Sequence, residues 1–253
     1  MNPQPFNGRT ALITGAAGGL GRAFALAFAA EGAAVAIADL NEVGINETAA
    51  LIEQQHGKAL AITVDVADEA STQQMAARVE EWSGAIDILI NNAAIYAGLE
   101  RKPFYEIDVA AWDQVMAVNV RGVWLCAKAV YPYMRRQGRG KIINISSATV
   151  YSGSPLWAHY VASKGAILAL TRVMAREVGN DNINVNAIAP GFTLTEASLG
   201  LMENAAQYGV DRGALKRESQ AGDIVGTALY LASPGSDFVT GQTIIVDGGK
   251  QFI

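Results

Sequence analysis

Residues 10–39 read TALITGAAGGLGRAFALAFAAEGAAVAIAD. Thr10–Thr14 and Ala34–Asp39 are short apolar runs of strand length, and RAFALAFAAEG between them has the period of a helix. The joint is TGAAGGLG, residues 14–21. Glycines at 15, 19 and 21 mark a backbone that turns tightly, approaches a ligand and lets helix touch strand. Unpaired N–H groups at the start of the following helix suit a pyrophosphate. The spacing is G-x3-G-x-G, not the G-x-G-x-x-G of the general dinucleotide fingerprint, so a tight turn without a ligand is the competing reading.

Asp39 shifts the balance toward a nucleotide. It closes the second strand, where an acidic side chain accepts hydrogen bonds from both adenine-ribose hydroxyls and repels a 2′-phosphate. Its neighbours Ala38, Leu40 and Asn41 bring no cation, and neither do Ala17 and Gly18 in the turn. Arg22 is the one base nearby, and at the helix start it is expected to face solvent. NAD is therefore expected over NADP.

The strand–helix rhythm continues along the chain. Strands are predicted at 60–65 (LAITVD), 86–91 (IDILIN), 141–146 (KIINIS), 183–188 (INVNAI) and 243–247 (TIIVD). They are near-continuous apolar runs, as in a parallel sheet covered on both faces. The expected fold is a single-domain α/β structure, a Rossmann-type doubly wound parallel sheet of about seven strands with helices on both faces. No linker divides residues 1–253. Residues 192–218 are long and weakly patterned, which reads as a substrate lid within the domain.

Composition narrows the function. Hydrophobic residues make up 51% and charged residues 17% of 253, which excludes a disordered chain. The net charge is −5, and the one basic run, RRQGRGK at 135–141, falls at a helix-to-strand corner, so no nucleic-acid partner is expected. Cys126, in VWLCAKAV, reads as a small buried hydrophobe. One cysteine forms no internal disulfide, and His56 and His159 lack metal-ligand spacing, so no metal is expected. No signal segment or membrane span is visible. A soluble, cytoplasmic protein without a membrane partner follows as the expectation.

A second stretch, HYVASKG at 159–165, sets Tyr160 and Lys164 on one helix face. Alone, such a pair is usually solvated. Taken with TGAAGGLG, Asp65–Val66, NNAA at 91–94, Asn119, Ser146–Ser147, YVASK at 160–164, PGFTLT at 190–195 and TGQTIIVDGG at 240–249, it is one of eight motifs in order. The chain resembles the short-chain dehydrogenases/reductases from end to end.

The resemblance implies hydride transfer between a nicotinamide and a carbinol carbon. It places Gly15, Ala17, Gly18, Gly19 and Leu20 along the cofactor phosphates, and Asp39 and Leu40 at the adenosine. Asp65 and Val66 would meet the adenine, Asn92 its ribose, and Pro190, Thr193 and Thr195 the nicotinamide carboxamide. Tyr160 becomes the general acid and base, and Lys164 a ligand of the nicotinamide ribose. Ser147, thirteen positions before the tyrosine, would hold the substrate oxygen, and Asn119 a water beside the lysine. A free phenol is a poor base near neutrality, and a nearby ammonium and a positive nicotinamide are expected to lower its pKa. Two departures, Ala94 for glycine and Thr193 for a branched apolar residue, are expected to be tolerated.

The substrate side is predicted at Tyr96, Thr149, Val150, Tyr151, Leu156, Trp157, Phe192, Leu199, Leu201, Met202 and Tyr208, together with Ser147 and Tyr160. No arginine stands among them before Arg212, which points away from a clamped carboxylate or phosphate and toward a small hydrophobic secondary alcohol or ketone, cyclic or aryl ones included. His159 is expected at the surface or rim. Two rival readings are an NADPH-dependent 3-ketoacyl-type reductase, which Asp39 and the acidic charge disfavour, and a non-catalytic nucleotide-sensing scaffold, which would need a catalytic residue to be lost. The resemblance further implies a homotetramer formed through helices around 108–137 and 157–178 and the C-terminal VDGGKQFI.

Overall fold

The computed structural model describes residues 4–199 and 210–252. Strands β1 (Thr10–Thr14), β2 (Ala34–Asp39), β3 (Lys58–Thr63), β4 (Ile88–Asn91), β5 (Gly140–Ile145), β6 (Ile183–Pro190) and β9 (Thr243–Val246) form one sheet in the order β3-β2-β1-β4-β5-β6-β9. Every adjacent pair is parallel. The order reverses between β1 and β4, so their carboxyl ends open the crevice where doubly wound sheets take ligands. A minor pair, β7 (Thr193–Leu194) with β8 (Ser219–Gln220), joins the two ends of the 192–218 segment.

Helices α1 (Gly19–Ala30) and α2 (Glu42–Glu53), with the helix Ala221–Ala232, cover one face of the sheet. α3 (Glu69–Ser83), α5 (Gly122–Gln137) and α7 (Ala158–Val178) cover the other. Consecutive strand residues feed opposite cores: Ile13 and Ile37 pack with Phe24, Phe28 and Ile224, while Leu12 and Ala36 pack with Met75, Val79 and Val130. Both faces are buried, so the strands read as unbroken apolar runs. Each fully buried large aliphatic or aromatic side chain contributes about 1.5–3 kcal/mol to the fold. Cys126 belongs to the second core, and burial pushes its thiol up to about 12, which suits an inert packing role.

Strand boundaries differ from the sequence expectation by a few residues, for identifiable reasons. β3 starts at Lys58, paired with Ala34, and ends before Asp65, whose Oδ1 accepts from Ala67 N at 2.8 Å and turns the chain. β4 starts at Ile88 because Asp87 is held by other partners: Arg9 at 2.7 Å, Arg139 at 3.1 Å and the Thr10 N–H at 3.0 Å. β6 runs on to Pro190, paired with Val246 on β9. The basic corner is a set of ion pairs, Arg135–Asp181, Arg136–Glu80, Arg139–Asp87 and Lys141–Asp237, each worth little alone. Among the described residues no helix is long and apolar enough to cross a membrane, and no cluster of metal ligands occurs.

Candidate active site

α1 begins without a side-chain cap: Gly18 at its N-cap is extended and makes no side-chain cap hydrogen bond, and among the described residues no side chain meets the first-turn N–H groups. Those donors open into a cavity of ≈ 610 Å³ lined there by Gly18, Gly19, Leu20 and Gly21, the arrangement that takes an anion. The turn is pressed against the β4 exit. Gly15 has φ +67, and a Cβ there would meet the Ala93 Cα at 2.7 Å; a Cβ at Gly21 would collide with the Gly15 carbonyl oxygen. Asn92 both lines the cavity and fastens the turn, donating from Nδ2 to the Thr14 and Gly15 carbonyls at 3.1 and 2.9 Å.

Asp39 stands at the end of β2, with Oδ2 accepting from Ala17 N at 3.2 Å and Oδ1 from Asn41 N at 3.0 Å. Asp39, Leu40, Asp65 and Val66 lie outside the cavity wall proper, along the edge formed by the ends of β2 and β3. Val66 is turned toward Gly122 on α5. Arg22 does not face solvent. α2 crosses the start of α1, and Arg22 donates from Nε to the Thr48 hydroxyl at 2.9 Å and from Nη2 to the Ala17 carbonyl, and pairs through Nη2 with Glu47 at 2.9 Å. The one base near Asp39 is thus already partnered.

The other end of the cavity holds the titratable cluster. Tyr160 and Lys164, one turn apart on α7, are 6% and 3% exposed. Lys164 Nζ donates to the Ile145 carbonyl at 2.8 Å and stands 5.8 Å from the Tyr160 ring centroid. At the end of β5 the two serines part company. Ser146 donates to the Lys164 carbonyl at 2.8 Å, whereas Ser147 bonds the Tyr160 hydroxyl. Thr149 donates twice to Ser147 Oγ, from its hydroxyl at 2.9 Å and its N–H at 3.2 Å. With both lone pairs of Ser147 occupied, its own proton is left for the Tyr160 hydroxyl oxygen, the direction in which it favours the phenolate.

The expectation of a lowered phenol pKa is not met within the protein itself. Burial pushes Tyr160 up, the adjacent Tyr96 adds to this, and the Ser147 hydrogen bond opposes it. Burial also lowers Lys164 to about 8. The ammonium is bonded to a carbonyl and not to the phenol, so desolvation outweighs its field.

Asn119 sits in a π-helical turn, Ala117–Arg121, between α4 (Val109–Met116) and α5. It is fully buried and outside the cavity wall. Its Nδ2 donates to the Ile95 carbonyl and to Ser163 Oγ, both at 3.1 Å, and its Oδ1 accepts from Ile95 N at 2.7 Å. Ser163 in turn donates to the Tyr160 carbonyl at 2.7 Å. The asparagine thus ties the β4 exit to the helix bearing Tyr160.

Tyr96, Trp157 and Tyr160 form a mutual cluster, with ring centroids 5.3–5.4 Å apart. Leu156, Phe192, Ala94, Pro190, Thr193 and Thr195 also line the cavity, and so does Thr149. Tyr151 and Val150, on the short helix α6 (Thr149–Ser152), do not. His159 is 2% exposed, not at the rim: it sits in the first turn of α7, and its buried Nδ1 has no hydrogen-bond partner among the described residues. Leu201, Met202 and Tyr208 lie outside the described residues, as does the side chain of Leu199. The wall also holds cations: Arg212, and two that the sequence did not point to, Arg101 and Lys250; the Arg101 guanidinium lies 4.5 Å over the Trp157 ring. Arg101 sits in a loop with no motif around it, so nothing in the sequence marked it.

Residues 15–251 match the family model described as enoyl-(acyl carrier protein) reductase. The chain is 41% identical to sorbitol dehydrogenase of Cereibacter sphaeroides, over 96% of this chain and 98% of that protein. It is 37% identical to the 3-oxoacyl-[acyl-carrier-protein] reductase of Thermotoga maritima, over 96% and 97%. The solved structure of levodione reductase superposes with a TM-score of 0.91 at 32% identity, covering 97% of this chain and 98% of that one. With the sheet order, the uncapped glycine turn and the Ser147–Tyr160–Lys164 cluster in place, these matches make the chain a member of the short-chain dehydrogenase/reductase family, oxidoreductases that act on CH–OH groups.

Proposed function

We propose that the protein is an NAD-dependent oxidoreductase that interconverts a secondary alcohol and its ketone, with Tyr160 as general acid and base. The observation that carries this reading is one continuous cavity joining the uncapped start of α1 to the Ser147–Tyr160–Lys164 cluster. The residues fit a nicotinamide dinucleotide. Gly18–Gly21 would take its phosphates, Asp39 the adenine ribose, Lys164 the other ribose, and Pro190, Thr193 and Thr195 the carboxamide. Bound there, NAD⁺ supplies the hydride acceptor and a positive ring.

In oxidation Tyr160 takes the hydroxyl proton as the carbinol hydride leaves. In reduction it returns that proton to the carbonyl oxygen. Ser147, held by Thr149 as a donor, stabilises the charge on that oxygen. Burial alone pushes Tyr160 toward its neutral form, so the phenol keeps its proton in the resting site, and both giving it up and acting as a base rely on added positive charge nearby. Preference for NAD rests on the Asp39 carboxylate and on Arg22 being partnered by Glu47. The aromatic cluster favours a substrate with a flat apolar body.

A second reading, an NADPH-dependent 3-ketoacyl-type reductase, gains support from the cations at the cavity and from the likeness to the Thermotoga enzyme. The two readings separate in one set of assays. Wild type should show a higher kcat/KM with NAD(H) than with NADP(H), and Tyr160→Phe should lose turnover by about 10²–10⁴-fold while titrating NADH as wild type does. A preference for NADPH sinks the first reading, and a Phe variant that keeps most of its rate sinks both. Self-association to a homotetramer belongs to the same proposal. Trp112, Trp124 and Val173 are exposed on α4, α5 and α7, and a monomer by light scattering contradicts it.

A further inference from the structure

We infer that the substrate carries a carboxylate, and that Arg101 holds it at the cavity mouth while the carbinol carbon lies against Tyr160. This rests on the reaction proposed above and adds the substrate's charge to it.

The acids flanking Arg101 in sequence are already taken. Glu100 and Asp108 both pair with Lys102, at 3.1 and 3.3 Å. Arg101 has no carboxylate partner among the described residues, and its contact is the Trp157 ring at 4.5 Å. A guanidinium stacked on an indole keeps its planar edge of N–H donors free for a second, in-plane partner. That edge matches a carboxylate in a two-pronged hydrogen bond, which a lysine cannot reproduce.

The support under the guanidinium is rigid. Trp157 is 4% exposed and packs edge-on to Tyr96 and against Tyr160. The separations of 4.5 and 5.3 Å place the guanidinium within about 10 Å of the Tyr160 ring. An acid with a few carbons between carboxylate and carbinol spans that distance, and its carbon body meets the aromatic wall. Arg212 and Lys250 line the same cavity, and Glu196 is the one acid among its described lining residues. No arginine stands among the wall residues expected from sequence before Arg212, and Arg101 supplies one.

The test pairs acids with uncharged counterparts. 4-Hydroxypentanoate, 5-hydroxyhexanoate and 3-hydroxycyclohexanecarboxylate, each beside its methyl ester, are assayed as substrates with both NAD⁺ and NADP⁺. In wild type at least one acid should exceed its ester in kcat/KM by tenfold or more. Arg101→Met should erase that advantage, and through KM, because the contact binds ground and transition states alike. Arg101→Lys should restore charge without the planar fork and recover only part. Calorimetric binding of 4-oxopentanoate and its methyl ester needs no turnover: binding of the acid alone, lost in Arg101→Met, supports the anion site even if every alcohol fails as a substrate, an outcome that would instead sink the proposed reaction. Equal handling of acid and ester by wild type, or an acid preference that survives Arg101→Met, overturns the inference. An acyl-carrier-protein thioester reduced faster than any free acid is converted, with that rate lowered in Arg101→Met, also overturns it by moving the anion from a substrate carboxylate to the carrier.

Discussion

The two ends of the cavity are built in opposite ways. At the glycine turn, backbone meets backbone: Gly15 against Ala93, Gly21 against Gly15, with Thr14 and Asn92 fastening the loop. At the mouth, side chain meets side chain: Arg101 on Trp157, Trp157 on Tyr96 and Tyr160. Backbone packing tolerates one residue type, so it leaves a spacing of glycines in the sequence. Stacked side chains from distant loops tolerate several, so they leave no spacing at all.

The largest effect that separates the two ends is expected at Gly21. A valine there must displace the Gly15 carbonyl, which no side-chain movement relieves, so Gly21→Val should lose NADH binding altogether and lower the melting temperature. Gly18 supplies the control. A Cβ at Gly18 would meet nothing nearer than the Glu196 carboxylate at 4.0 Å, so Gly18→Ala should fold with wild-type stability and change only cofactor affinity. Equal stability of Gly21→Val and Gly18→Ala would break the contrast.

That asymmetry explains what the sequence revealed. The parallel sheet was legible because both faces are buried, and the turn because of its glycines. Tyr160 and Lys164 were legible because one helix face carries both. Arg22 and His159 were misread for one reason: burial by parts of the chain distant in sequence, α2 over Arg22 and the surroundings of the first turn of α7 at His159, is not written beside the residue it covers. Asn119 was picked out by motif, but its work of tying Ile95 to Ser163 depends on a π turn that periodicity does not show. Arg101 had no motif at all.

Between the two ends lies Lys164, and its burial gives a pH signature. Desolvation lowers it from 10.5 to about 8, so between those values the unfolded chain binds more protons than the native one. Stability should therefore rise with pH from about 8 to about 10.5, by up to about 3 kcal/mol, at 1.36 kcal/mol per pH unit of displacement. Below pH 8 the cost of burying the ammonium is fully present. Denaturant titrations across this window should show the rise in wild type and a flatter profile in Lys164→Met. Parallel profiles would mean that the ammonium is solvated in the native state.

The smallest effect tests whether side-chain construction extends inward from the mouth to the reacting atoms. Thr149 donates to Ser147 Oγ through both its hydroxyl and its N–H. Thr149→Val keeps the shape and the backbone donor but frees one lone pair, so the Ser147 proton loses its enforced direction. A single neutral hydrogen bond is worth about 0.5–1.5 kcal/mol, so kcat should fall about tenfold or less while NADH affinity stays unchanged. Thr149→Ser retains the hydroxyl and should recover most of the loss. A role limited to packing would behave in reverse: valine, which keeps both branches, would be tolerated, and serine, which loses a methyl group, would not. Rescue by serine would therefore place Thr149 with Arg101, as a side chain that aims another group and that no motif announces.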